Sequence, residues 1–327
     1  MKKLNSNLLK IVNILNDTQF HAGDEIGNKL GITRSAIWKA IKKLNKYQIK
    51  VTSIKGKGYA MQEPLVLLDD KKIKQVLDPA IKKDIDLTLL ETTDSTNNYL
   101  KKISSKNRFK ICLAEHLTQA RGRFQRAWHA PFGQNIYLSC QYRFAKDLSE
   151  LAGLSLVIGL AIIKTLHEFG LNNKIMIKWP NDILWQRRKL AGTLIEVSAE
   201  THGHCEAMIG IGLNVNMLDA DNDVVSQPWA SLRQIQNKYF DRNVVVAALI
   251  NHLVNYIQQF ELHGLAHFME EWNASDCLLG QSVTIINGKE EVQGLAQGIN
   301  EQGHLLLKLP NGRTHAFSSG DASVKKT

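Results

Sequence analysis

Apolar positions along the 327-residue chain repeat with different rhythms, and each rhythm predicts its own kind of element. Leu8, Ile11, Val12 and Leu15 fall at i, i+3, i+4 and i+7, one face of a helix. Ile26 and Leu30 belong to a short segment opened by Gly23-Asp24, and Gly31 suits the left-handed residue that closes a helix. Thr33 is a good N-cap for a third helix, whose buried face is Ile37, Ala40, Ile41 and Leu44. Runs 49–54 and 59–61 then flank Lys55-Gly56-Lys57-Gly58, a β-hairpin with a basic tip. Helix, tight turn, helix and wing is the order that lays a second helix in a major groove.

Beyond a polar joint at Glu63-Pro64 and Asp69-Asp70-Lys71-Lys72 the pattern mixes strands and helices. Residues 151–169 are apolar nearly all round, which predicts a buried helix stopped by Gly170. Runs 87–90, 175–179, 190–197 and 207–215 read as strands, and 244–260 as an amphipathic helix. In the tail, Val283–Ile286, Val292, Leu295 and Leu305–Leu307 are short strands set between glycines, a small β-barrel pattern. The expected fold is an α/β (α+β) multidomain chain: a winged helix-turn-helix head over 1–65, a mixed α/β body over 66–277 and a barrel over 278–327.

Charge sharpens this division. The head holds 12 Lys/Arg against 4 Asp/Glu, the remainder 29 against 27. A basic head on a nearly neutral body assigns a polyanion partner to the head. On its second helix Arg34, Ser35, Trp38, Lys39, Lys42 and Lys43 lie off the apolar stripe. Arg34 and Ser35 occupy the first turn, where base edges are met, while Lys39, Lys42, Lys43 and the wing's Lys55 and Lys57 suit phosphates. Lysine-rich helix faces are also common on plain solvated helices; the register, the wing and the segregated charge together favour DNA. The four cysteines show no CxxC pairing and no zinc spacing, as expected of free thiols in a reducing compartment. With no signal-peptide pattern, and with Leu151–Ile163 too short to span a bilayer, a cytoplasmic protein that needs no membrane is expected.

Four stretches of the body look chemical. Asp94-Ser95-Thr96-Asn97-Asn98 follows a strand and, taken by itself, better suits a helix cap than a binding site. Arg121-Gly122-Arg123, with Arg126 and Trp128 behind it, can close over phosphate or carboxylate, or form a solvated basic loop. In Lys178-Trp179-Pro180-Asn181-Asp182 the proline ends a strand, and a tight turn brings Lys189 back toward Asp182. Ile209-Gly210-Ile211-Gly212-Leu213-Asn214 alternates glycine in a strand, which weakens it unless something must approach the backbone closely. No Walker loop and no clean GxGxxG are present.

These motifs, in this order, resemble those of biotin–protein ligases. Pro131-Phe132-Gly133-Gln134-Asn135-Ile136-Tyr137-Leu138-Ser139 and Arg188-Lys189-Leu190-Ala191-Gly192 are similar to the same family. The head resembles that of bifunctional ligase–repressors through Phe20–Gly23, Leu30–Ile37 and Gly56–Tyr59. The resemblance implies a body like class II synthetases and an SH3-like tail. It further implies an enzyme that joins biotin to ATP, holds biotinyl-5′-AMP and biotinylates a lysine of a biotin carboxyl carrier protein. Ser95, Thr96, Asn97 and Leu117 would line the biotin site. Arg121, Gly122 and Arg123 would fold over the adenylate, and Arg126, Asn214 and Trp229 would meet the nucleotide. Lys189 would stabilise the carboxylate and phosphate, and Asp182 would orient the incoming amine. Mg²⁺ would ride on the ATP phosphates rather than on protein ligands. The adenylate would act as corepressor, with a homodimer placing two heads on operator DNA.

The chain departs from the family pattern in three places. The loop usually written Gly-Arg-Gly-Arg-x-Gly has Ala120 and Gln125 for two glycines, which predicts a stiffer loop. Leu117 stands where a biotin-gripping glutamine is usual, and Gln119, expected on the same strand face, is the candidate replacement. Lys325 stands where an arginine is common. A non-catalytic effector-binding repressor and a ligase for lipoate are the alternatives to weigh.

Overall fold

The computed structural model describes the chain except residues 1, 4–5, 104–106, 173, 200–203, 221–224, 226, 288–289, 319–321 and 327. For residues 2, 3, 6, 199, 287, 322, 323, 325 and 326 it describes the backbone alone, so the role of the Lys325 side chain lies outside it.

Caps set the geometry of the head. A two-residue strand β1 (Lys2–Lys3) precedes α1 (Ser6–Leu15), α2 (Gly23–Leu30) and α3 (Arg34–Lys46). Gly31 closes α2 at φ +64, and Thr33 Oγ1 accepts the Ala36 N–H at 3.2 Å to open α3, as the sequence implied. β2 (Val51–Ile54) and β3 (Gly58–Met61) form the wing. A Cβ at Gly58 would lie 1.9 Å from the His21 carbonyl oxygen, so only glycine lets the wing pack on the loop before α2.

The body begins with α4 (Asp70–Val76) and α5 (Pro79–Lys82), then β4 (Ile85–Thr93), α6 (Thr96–Leu100), β5 (Phe109–Leu117) and β6 (Ile136–Phe144). It continues through α7 (Leu154–Glu168), β7 (Ile175–Lys178), β8 (Asp182–Trp185), β9 (Arg188–Ala199) and β10 (Cys205–Leu213). Then come α8 (Leu232–Gln236), α9 (Arg242–His263) and α10 (Met269–Ser275). The eight-stranded sheet has the order β1-β4-β5-β6-β10-β9-β8-β7, with β4 and β5 parallel and the other pairs antiparallel. Strand alternation sorts its two faces. Ile111, Leu113, Ile136, Leu138, Ile209 and Ile211 enter the large core under α7 and α9, while Cys112, Ala114 and Met208 pack under α6. Eleven of the 15 residues of α7 are buried, which explains why its sequence shows no polar side.

The tail strands β11 (Ser282–Asn287), β12 (Glu290–Ile299), β13 (Leu305–Lys308), β14 (Thr314–Phe317) and β15 (Ala322–Lys326) form one five-stranded antiparallel sheet. It docks on the body through Trp179, whose indole N–H donates to the Gly303 carbonyl at 3.0 Å.

Besides the pairing of β1 with β4, side chains fasten the head to the body. Lys43 and Tyr47, at the end of α3, reach Glu91 of β4: Lys43 forms an ion pair with its carboxylate and the Tyr47 hydroxyl donates to it at 3.0 Å. The Tyr47 ring stacks on Phe132 with centroids 4.1 Å apart. Below the joint, the fully buried pair Arg242–Glu115 (2.6 Å) also binds the linker, through the Val66 carbonyl and the Leu68 N–H.

Candidate functional site

A cleft of about 630 Å³ opens on the face of the sheet that carries α6. Its floor is a row of residues set directly opposite one another across five strands. Tyr137 of β6 faces Gly212 of β10, Gly212 faces Gly192 of β9, Gly192 faces Asp182 of β8, and Asp182 faces Lys178 of β7. Directly opposed residues share a face, so the two glycines cut a trench between side chains. A Cβ on Gly212 would come within 2.7 Å of the Trp128 ring, one on Gly192 within 3.1 Å of Lys189 Cε, and one on Gly210 within 3.0 Å of Asn97 Oδ1. The alternating glycines therefore mark close approach, as their spacing implied.

One end of the trench is polar. Ser95 caps α6, accepting the Asn98 N–H at 3.4 Å, and Ser139 Oγ lies 2.6 Å from both Thr96 Oγ1 and Asn97 Oδ1. Asn97 Nδ2 donates to Glu196 at 2.8 Å. Thr96, Asn97 and Ser139 are all buried, so these dipoles are held in fixed directions.

The centre is ionic. Lys189 folds over Gly192, and its ammonium sits 2.7 Å from Asp182 Oδ1; the expected meeting of these two residues is observed. Lys189 N–H donates to the Pro228 carbonyl and Ala230 N–H to the Lys189 carbonyl, which holds Trp229 beside it. Asn214 is buried, and its amide donates to the Ala230 carbonyl at 3.1 Å and the Lys189 carbonyl at 3.4 Å. Asn214 thus lines the cleft while tying the Lys189 and Trp229 segments together.

The roof is the loop 120–128, closed by Gly122 N–H to the Arg126 carbonyl at 2.8 Å and Trp128 N–H to the Ala120 carbonyl at 3.1 Å. Phe124 and Gln125 take φ of +55 and +57, left-handed values that cost a side-chain-bearing residue about 1–2 kcal/mol each. Gln125 thus occupies a conformation open to glycine at no steric penalty. Arg121 donates to Gln125 Oε1 at 3.3 Å and lies 3.7 Å from Glu196. The Arg123 and Arg126 guanidiniums lie 5.0 and 5.5 Å from the centroid of the exposed Phe124 ring.

Two expectations change. β5 ends at Leu117, which lines the cleft, but the chain then bends: Gln119 is exposed, off the strand, and absent from the lining. It does not stand in for the glutamine. Lys43 is also misplaced by sequence reasoning. Its ammonium turns to the buried Glu91 of the body, because a carboxylate desolvated there requires a cation. Arg34, Ser35, Lys39, Lys42, Lys55 and Lys57 are exposed on the head, with Lys42 Nζ 5.0 Å above the exposed Trp38 ring.

Sequence reasoning assigned no role to Ser139, Lys178, Glu196 or Trp128, nor to Ile286 and Val324, which bring the tail into the cleft wall. Lys178 is half-buried, and desolvation pulls its pKa below the usual lysine range. Among the described residues no group of three or more His, Cys, Asp or Glu side chains could hold a metal ion.

Known proteins resemble the chain over most of its length. The family model "Biotin/lipoate A/B protein ligase family" matches residues 89–216, "HTH domain" residues 7–60 and "Biotin protein ligase C terminal domain" residues 278–325. The chain is similar to the bifunctional ligase/repressor BirA of Escherichia coli strain K12, with 36% identity over 97% of both chains. It is similar at 27% identity to that of Bacillus subtilis strain 168, over 92% of this chain and 93% of the relative. The Aquifex aeolicus biotin protein ligase solved with biotin and ATP superposes with TM-score 0.64 at 26% identity, covering 74% of this chain and 99% of that one.

Proposed function

The chain belongs to the family of bifunctional biotin protein ligase/repressors, and from that premise we propose how its cleft works. The Lys189–Asp182 pair, set in a glycine trench between the Asn97 end and the Arg121–Arg126 roof, is the observation that carries the reading.

In this reading Ser95, Thr96, Asn97 and Ser139 receive the ureido head of biotin, and Leu117 packs beside it. The ring system lies along the trench against the Trp128 ring, which is seated on Gly212. The carboxylate reaches Lys189, where it attacks the α-phosphorus of ATP. The bond from that phosphorus to the bridging oxygen breaks, and pyrophosphate leaves. Lys189 neutralises charge that grows on the reacting oxygens, while Arg121, Gly122 and Arg123 close over the adenylate. Trp229 offers its face to the adenine, Arg126 adds charge near the phosphates, and Asn214 keeps Lys189 and Trp229 in register. Asp182 then orients the carrier lysine's amine as it attacks the acyl carbon; the bond from that carbon to the phosphate oxygen breaks, AMP leaves, and the nitrogen gives up a proton. The carboxylates Asp182 and Glu196 are already paired with Lys189, Arg121 and Lys101, so Mg²⁺ would be held by the ATP phosphates and would offset their charge.

The head places Arg34 and Ser35 in a major groove with Lys39, Lys42, Lys55 and Lys57 on phosphates. The adenylate-bound form pairs as a homodimer across two half-sites in the cytoplasm. The test is to mix the chain with ATP and biotin and follow pyrophosphate and bound biotinyl-5′-AMP. The wild type forms both, and Lys189→Ala forms neither within the wild-type turnover time. A wild-type protein that binds both substrates and releases no pyrophosphate would mark a sensor without catalysis.

A further inference from the structure

Lys178 has no part in the mechanism above, yet it ends the trench. It closes the cross-strand row Tyr137–Gly212–Gly192–Asp182–Lys178 on β7, the last strand of the sheet. Neighbouring strands lie about 4.8 Å apart. Lys178 therefore stands one strand beyond Asp182, where the Lys189 ammonium rests, on the side away from Asn97 and Ser139. Its side chain lines the cleft, and among the described residues it makes neither a hydrogen bond nor an ion pair. Of the titratable groups near it, Asp182 and Cys277 favour its charged form, and Lys189 and Arg126 oppose it. Asp182 is already held at 2.7 Å by Lys189. A half-buried ammonium that forms no ion pair of its own, at the end of a cleft rich in cations, calls for an anion from outside.

The geometry of displacement says which anion. A phosphoryl centre is attacked in line, so the leaving group departs opposite the nucleophile. If biotin lies with its head at Asn97 and its carboxylate at Lys189, the nucleophile approaches from the β6–β10 side. The leaving group then points along the same row toward β7. Adenosine turns aside toward Trp229, which is paired beside Lys189 and lies off the row.

We infer that Lys178 is a positioning cation for the β- and γ-phosphates of ATP and for the departing pyrophosphate. It remains protonated throughout; the electron pair of the broken P–O bond leaves on pyrophosphate. The inference rests on the ligase reading and assigns Lys178 to its first half-reaction only.

That separation supplies the test. Adenylate formation from ATP and biotin is measured beside transfer to a carrier domain from supplied biotinyl-5′-AMP, for wild type, Lys178→Met and Lys178→Arg. Removing one preorganised donor to a developing anion lowers rate about 100- to 1,000-fold. Lys178→Met is expected to lose that much in adenylate formation and less than about 10-fold in transfer. It should also weaken inhibition by inorganic pyrophosphate by about 100-fold, and Lys178→Arg should restore part of both. Equal losses in the two half-reactions, or undiminished adenylate formation by Lys178→Met, overturn the assignment. A wild-type chain that makes no adenylate sinks the ligase reading itself, and this inference with it.

Discussion

Lys178 carries a prediction of its own at the scale of single residues. A phosphate-holding ammonium must be charged, and partial desolvation in the cleft favours its neutral form. Its folded pKa is lowered, so the charge is present at low pH and is lost as pH rises, earlier than for an exposed lysine near about 10.4. Adenylate formation should therefore fall on the alkaline side below that range. Lys178→Arg, which does not titrate there, should extend the plateau upward in the pH profile. A plateau ending at the same pH in both proteins contradicts this. Lys189 and Asp182 were legible from sequence because a proline stop and a tight turn fix a hairpin. Lys178 lies in the same motif, but its meaning depends on being last in a row that only the strand order creates. Gln119 failed for a local reason: the strand stops two residues before it.

Among the elements, β10 best shows how sequence and packing meet. Its glycines weaken a strand by losing side-chain contacts, and the gain is a trench into which Asn97 and Trp128 descend. Gly212→Ala should push the Trp128 ring from its seat, because the new Cβ would stand 2.7 Å from two ring carbons. The expected result is a KM for biotin raised about 10-fold or more, equivalent to about 1.4 kcal/mol, with the thermal midpoint little changed. An unchanged KM would show that Trp128 has other room. Elements were readable wherever one face repeated: α1, α3 and α9 appear near their expected spans, and α7 from its unbroken apolar run. The roof loop was not, because left-handed Phe124 and Gln125 are set by contacts with the body and leave no periodic trace.

At the scale of the whole molecule, two charge pairs connect parts that sequence reads separately. Arg242 and Glu115 are fully buried and bridge α9, β5 and the linker at Val66 and Leu68. Arg242→Leu strands a carboxylate in the core, so it should lower unfolding free energy by about 3–5 kcal/mol in urea titration; a loss under about 1 kcal/mol contradicts that role. The second pair, Lys43–Glu91, fixes the head on β4, two to six residues before Thr93–Asn97. Glu91→Ala should release the head and speed protease cleavage in the linker 62–66 while the body stays folded. Neither junction was visible in advance, because a lysine on a basic helix looks the same in sequence whether it meets phosphate or a buried glutamate.

The central claim is that this chain moves biotin onto a carrier lysine. The most direct test is a single incubation of the purified protein with ATP, biotin and a biotin carboxyl-carrier domain, read by intact-mass spectrometry of the carrier, with lipoate replacing biotin in a parallel tube. The account predicts one biotinyl adduct per carrier, dependent on ATP, absent with Lys189→Ala and absent with lipoate. A carrier that stays unmodified with biotin, or that gains a lipoyl group in preference, contradicts it.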